Sequence, residues 1–233
     1  MIQSEKESFV SSIDPHRLRL IVATKNAGKV REFRQMLGAE RFDWADLSTV
    51  DDTLEAPAET GRTFRANACL KATYYAKATG RWALADDSGL EIDALAGSPG
   101  VVSSRWAELN DAGAGDAANN ALVLRQLANV PDGQRSARFV CVLALADPAG
   151  RVVLTVRETM EGQILREPRG RNGFGYDPLF LVPHFGRTTA ELSPGEKHEV
   201  SHRGKALRRL RSLMETVLPA AMPTRAASSV RNP

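Results

Sequence analysis

The chain has 233 residues, with 31 Lys and Arg against 28 Asp and Glu, a formal net charge of +3. Its 42% hydrophobic and 25% charged residues are a globular composition that excludes dominant disorder, and so small a cationic surplus is no nucleic-acid signature. The two cysteines, Cys69 and Cys141, are too few for a disulfide framework, and the longest apolar run, residues 139–146, is far short of a membrane span. A reducing, cytoplasmic setting follows, with no secretory signal in the first 18 residues.

Residues 1–17 are polar and aperiodic and read as a flexible arm. Residues 18–23 (LRLIVA) predict a strand, and Val30, Phe33, Met36 and Leu37 fall at helical spacing. Between them stand Thr24, Lys25, Asn26, Ala27, Gly28 and Lys29, so the first unit is strand, tight loop, helix. Residues 63–78 are Ala-rich and predict a helix capped by Thr60 or Gly61. Residues 82–85 predict a short strand that ends at Asp86-Asp87-Ser88-Gly89. Asp116 is placed to cap a helix carrying Leu122, Val123 and Leu127. Residues 138–146 and 151–159 predict a hairpin about Asp147-Pro148-Ala149-Gly150, and residues 179–182 a further strand. Leu207, Leu210, Leu213, Met214 and Val217 line one face of a last helix, and residues 218–233 read as a flexible tail. Intermixed strands and helices argue an α/β protein with one domain over residues 18–217.

Four segments carry chemistry. Thr24 to Lys29 place small polar groups, a glycine and a cation at a helix start, where free N–H groups attract phosphate; a capped helix with an exposed lysine reads equally well. Asp86 and Asp87 are costly at the end of a buried strand unless a cation pairs with them; Asp-Ser-Gly is also common turn composition. Strand geometry points such neighbours in different directions, so one could hold Mg²⁺ while the other is hydrogen-bonded. In Gly173-Phe174-Gly175-Tyr176-Asp177-Pro178, flanking glycines could expose an aromatic ring for a base, or make a turn around a core aromatic. Ser201-His202-Arg203-Gly204-Lys205 could reach phosphate or purine edges, or begin a helix with a solvated basic cluster. Lys197, in a stretch that reads as a polar loop beside Glu196 and Glu199, reads as solvated.

In this order, T-x-N-x-x-K, A-D-D-S-G-L, G-F-G-Y-D-P and S-H-R-G-K together resemble the inosine/xanthosine triphosphate pyrophosphatase family, the RdgB-like enzymes that clear aberrant purine nucleotides. The resemblance spans residues 18–217 and takes in Glu59-Thr60-Gly61-Arg62-Thr63-Phe64, Asn67 and Gly97-Ser98-Pro99-Gly100. The segment Val101-Val102-Ser103-Ser104-Arg105 departs from it in lacking a tyrosine or arginine after the first valine. The resemblance implies a mixed, twisted central sheet flanked by helices, two lobes with a cleft between them, and a homodimer. It implies Mg²⁺-dependent hydrolysis of dITP, ITP and XTP to the monophosphate and pyrophosphate. Asp87 then matches the general base and a metal ligand, with Glu59 and Asp86 as further metal carboxylates. Thr24, Lys25, Asn26, Ala27, Gly28 and Lys29 match the phosphate loop, and Ser88 a substrate contact. Phe174, Gly175, Tyr176 and Asp177 match the base pocket, with Lys197, His202 and Arg203 the remaining nucleotide contacts. Lys29, Lys197, Arg203 and His202 form the cationic side of a polyanion site.

A donor from His202, Arg203 or a backbone N–H would favour a 6-oxo purine over adenine; rejecting guanine needs something adverse to its 2-amino group. Two other functions fit less of the chain: a pyrophosphatase of modified pyrimidine nucleotides, and a silent nucleotide- or RNA-binding module built on Arg208, Arg209 and Arg211. The substrate is expected to be a small nucleotide, with neither nucleic acid nor membrane as partner.

Overall fold

The structure, a computed structural model, describes residues 18–37, 42–50 and 54–217. The arm at 1–17 and the tail at 218–233 lie outside the described residues. The elements are β1 (Leu18–Val22), α1 (Ala27–Leu37), β2 (Phe42–Asp46), α2 (Leu47–Val50), α3 (Phe64–Thr79), β3 (Trp82–Ile92), α4 (Gly115–Gln126), β4 (Ser136–Ala146), β5 (Val152–Ile164), β6 (Phe180–Val182), β7 (Arg187–Thr188), α5 (Pro194–Val200) and α6 (His202–Val217). One sheet takes the order β2-β1-β3-β4-β5-β6-β7. β1 is parallel to β2 and β3, and the remaining pairs are antiparallel, so the sheet is mixed as expected.

Alternation along the central strands decides which helix each side chain meets. Leu84, Leu143 and Leu145 face one way, against Phe33 of α1 and Ala206, Leu207, Leu210 and Met214 of α6. Ala83, Ala85, Val142 and Ala144 face the other, against Ala68, Ala72, Tyr75 and Ala76 of α3. The small residues of α3 let it lie close to the sheet. With helices on both sides, the middle of β4 is a continuous apolar run. A third cluster, with Leu90, Ile92, Phe139, Met160, Tyr176 and Phe180, extends the core beyond the site.

Several expectations are corrected. β3 does not stop at Ala85: its 11 residues run through Asp86-Asp87-Ser88-Gly89, with Asp86 opposite Leu143 and Asp87 opposite Val142. The turn-like composition is overridden because β4 supplies a full-length partner. Thr63, not Thr60 or Gly61, caps α3, accepting from the N–H of Ala66. Asp116 lies in the first turn of α4 but caps nothing there; Ala114 is the N-cap. Lys197 sits on α5, which starts with a capping box between Ser193 and Glu196. Cys141 is buried as expected, whereas Cys69 is half-buried. No helix among the described residues is long and apolar enough to cross a membrane.

Candidate active site

A cavity of about 560 Å³ opens where the N-terminus of α1, the middle of β3, and residues 174–177 and 197–203 converge. At its α1 end, Thr24 Oγ1 accepts from the Asn26 N–H at 3.2 Å, and Asn26 Oδ1 accepts from the Lys29 N–H at 3.0 Å. The segment is therefore a capped helix start, and Thr24, Lys25, Asn26 and Lys29 of it also line the cavity. Lys25 Nζ reaches away to the Leu54 carbonyl at 2.8 Å.

The paired carboxylates divide between the two faces of β3. Asp86 points to the α6 face and is fully enclosed. It pairs with Lys29, and accepts from Arg203 Nε at 2.9 Å, Ser88 Oγ at 2.7 Å and the Cys141 thiol at 3.3 Å. Burial alone would raise its carboxyl, but Arg203 and Lys29 hold it well below the usual carboxylate range. Asp87 points to the α3 face, where Oδ1 accepts from Lys71 Nζ at 2.6 Å. Its Oδ2 is buried without a hydrogen-bond partner. Burial pushes the Asp87 carboxyl up, although Lys71 and Lys29 pull against it.

Lys71 also donates to Glu59 Oε1 at 2.9 Å, so one ammonium lies between two carboxylates. Burial would lower Lys71, but Asp87 and Glu59 outweigh it and keep it charged. Glu59 is brought there by Asn67, whose Oδ1 accepts from the Gly61 N–H at 2.8 Å at the foot of α3.

On the α6 side a chain of alternating charge runs toward the base segment. Arg203 NH1 is 2.5 Å from Glu32, Lys197 Nζ is 3.2 Å from Glu32, and Lys197 Nζ is 2.6 Å from Asp177. Burial would raise Glu32, but Arg203 and Lys197 bring it down to about 2. Lys197 is thus buried and paired rather than solvated. Lys197 and Arg203 also lie over the Phe174 ring, at 5.2 and 5.8 Å from its centroid.

Phe174, Gly175, Tyr176 and Asp177 all line the cavity, as expected of a base segment. Tyr176 also packs in the core and its hydroxyl donates to the Ser103 carbonyl at 2.7 Å, whereas the Phe174 ring is half-buried. Asp177 holds its own loop, accepting from the Phe174 N–H at 2.8 Å and from Thr189 Oγ1 at 2.9 Å. His202 is no cation. It is buried and stacked on Phe139 at 5.0 Å, and burial and then Arg203 lower it well below 6.5. Its Nδ1 has no partner, which leaves a neutral imidazole nitrogen for directional bonding.

Asp86, expected among the metal carboxylates with Glu59 and Asp87, is held differently from Asp87. It lies on the opposite strand face from Asp87, and both its oxygens are occupied by protein donors. Lys71 and Glu32 are absent from the sequence-based expectations. Lys71 follows Asn67 by four on α3, and Glu32 adjoins Phe33 in the α1 stripe, so helical spacing was the available signal.

Residues 20–213 match the profile of the Ham1 family. A dITP/XTP pyrophosphatase of Exiguobacterium sibiricum is 53% identical over 201 residues, covering 86% of this chain and 99% of that protein. A dITP/XTP pyrophosphatase of Thermosynechococcus vestitus is 47% identical over 206 residues, covering 88% of this chain and 100% of that protein. The structure of a Ham1 protein from Coxiella burnetii aligns with a TM-score of 0.76 at 43% identity, over 85% of this chain and 99% of its own.

Proposed function

The chain belongs to the Ham1 family, and from that premise we propose that it hydrolyses dITP, ITP and XTP between the α- and β-phosphorus atoms, releasing the nucleoside monophosphate and pyrophosphate. The relatives' names support the substrate class. The observation that carries the chemistry is Asp87: a buried carboxylate with one oxygen on Lys71 and the other unpartnered.

Triphosphate hydrolysis needs charge neutralisation and an aligned water more than covalent help. Six cationic and five acidic side chains line the cavity, so the protein alone barely exceeds neutrality. A divalent cation fits this balance. Asp87 and Glu59 are hard oxygen donors gathered about one ammonium, and Mg²⁺ is typically held by one or two carboxylates plus substrate phosphates. When bound there, Mg²⁺ supplies neutralisation of phosphate charge and polarisation of the phosphorus under attack. Asp87 Oδ2 orients the attacking water and accepts its proton, a task suited to a carboxyl raised by burial. Lys71 holds Asp87 and Glu59 together. Lys29 and the first N–H groups of α1 receive phosphate oxygens.

At the other end Phe174 offers a stacking face. Neutral His202 and nearby backbone N–H groups supply directional bonds for a 6-oxo group, which adenine cannot match. The resemblance supports a homodimer acting in the cytoplasm. The test is product analysis with dITP: wild type releases dIMP and pyrophosphate in equal amounts, and Asp87→Asn releases neither at a measurable fraction of that rate. Release of orthophosphate alone would overturn the reading.

A further inference from the structure

We propose that Asp116 and Asn120 are positioning residues for the nucleobase: both grip Gly175, hold the Phe174 ring through it, and so set how well the site tells one base from another. The proposal rests on the purine-nucleotide reading above.

Neither residue belongs to the motifs, and both lie on α4, four apart and therefore on one helical face. Asp116 Oδ2 accepts from the Gly175 N–H at 2.6 Å, and Asn120 Nδ2 donates to the Gly175 carbonyl at 3.0 Å. Both main-chain polar groups of this glycine are thus fixed by α4. Gly175 has φ +64° and no side chain, so nothing else of its own locates it. It follows Phe174 directly, and Asp116 lines the same cavity as Phe174.

The helix doing the gripping is itself tied down. Asn119 Oδ1 accepts from the Ala107 N–H at 2.8 Å, and its amide donates to the Ser104 carbonyl at 3.2 Å. Asn120 shows the cost of the arrangement: its Oδ1 is buried without a partner. An amide oriented for its own satisfaction would not leave that oxygen bare. The orientation serves the Gly175 carbonyl, and the geometry it maintains is that of the Phe174 loop.

The experiment is steady-state kinetics with dITP and dATP on four variants, beside calorimetric affinity for dIMP without metal. Asp116→Ala and Asn120→Ala each raise KM for dITP about tenfold, the loss of one charge-assisted or buried hydrogen bond, with kcat within about twofold. Both narrow the preference for dITP over dATP. Asp116→Asn restores most of the affinity, because its amide oxygen still accepts. Asn120→Asp is worse than Asn120→Ala, because it sets a carboxylate against a carbonyl. The proposal is overturned by a fall in kcat at unchanged KM, by variants that lower only thermal stability, or by Asp116→Asn behaving as Asp116→Ala. If wild type releases no pyrophosphate, the function reading fails, and unchanged dIMP affinity in Asp116→Ala then separately sinks the clamp.

Discussion

Asp86 and Asp87 adjoin in one strand, yet Asp86 is saturated by Lys29, Ser88, Cys141 and Arg203 while Asp87 keeps a bare buried oxygen. The pleat of β3 produces the difference, sending one carboxylate to the cations of α1 and α6 and the other to α3. Stability and catalysis are therefore separable by a single-residue choice. Asp86→Asn strips a buried charge from Lys29 and Arg203 and lowers stability by about 3 to 5 kcal/mol. Asp87→Asn changes stability by less than about 1 kcal/mol, since Lys71 retains Glu59, but cuts kcat at least ~100-fold. Urea midpoints and pyrophosphate release rates check both; the reverse order would contradict the division.

Acid weakens the fold through Glu32 and His202 together. Glu32 titrates at about 2 in the fold against its ordinary 4.5. Its contribution, about 3 kcal/mol, is complete above pH 4.5 and drains as pH falls toward 2. His202 is held below its ordinary 6.5, so stability is also lost as pH drops below that value and the unfolded chain takes up the proton first. The urea midpoint falls between pH 7 and pH 3, and Glu32→Gln costs more stability at pH 7 than at pH 3. A wild-type midpoint that is flat over this range would refute the assignment.

The local units were legible where periodicity speaks. β1, α1 and the β4–β5 hairpin follow from apolar spacing and a turn. The centre of β3 was not, because Asp, Ser and Gly avoid strands and what overrides them, the full-length pairing with β4, is distant in the chain, as is Arg203, which stands 117 residues from its partner Asp86. Lys197 read as solvated for the same reason. Its partners, Asp177 and Glu32, come from other elements, and no local pattern announces a buried lysine. His202 looked cationic beside Arg203; burial, and then the neighbouring arginine, keep it neutral, and burial is not written in the local sequence.

Gly28 lies close against the Phe174 ring. A Cβ at this position would stand 2.7 Å from Phe174 Cδ1 and 2.9 Å from Cε1. In α1 itself alanine is favoured over glycine by about 1 kcal/mol. Gly28→Ala therefore leaves the melting temperature near wild type while displacing the ring, and raises KM for dITP at least threefold. Unchanged KM would show that the ring does not carry the base.

The proposal that Glu59 and Asp87 hold Mg²⁺ predicts a rate that depends on free Mg²⁺ in a defined way. Chelation abolishes pyrophosphate release, and added Mg²⁺ restores it. Glu59→Gln raises the Mg²⁺ concentration for half-maximal rate roughly 10-fold or more, as loss of one of two carboxylates demands. A Mg²⁺ titration that superimposes on wild type would remove Glu59 from the metal set.

The most direct measurement is kcat/KM for pyrophosphate release from dITP, dATP and dGTP under one Mg²⁺ concentration. A site with Phe174 as stacking face and neutral His202 as directional partner for a 6-oxo group predicts a dITP value at least ~100-fold above that for dATP, and a dGTP value nearer to dITP than to dATP unless a group adverse to the 2-amino position also lines the site. Equal values for dITP and dATP would contradict it.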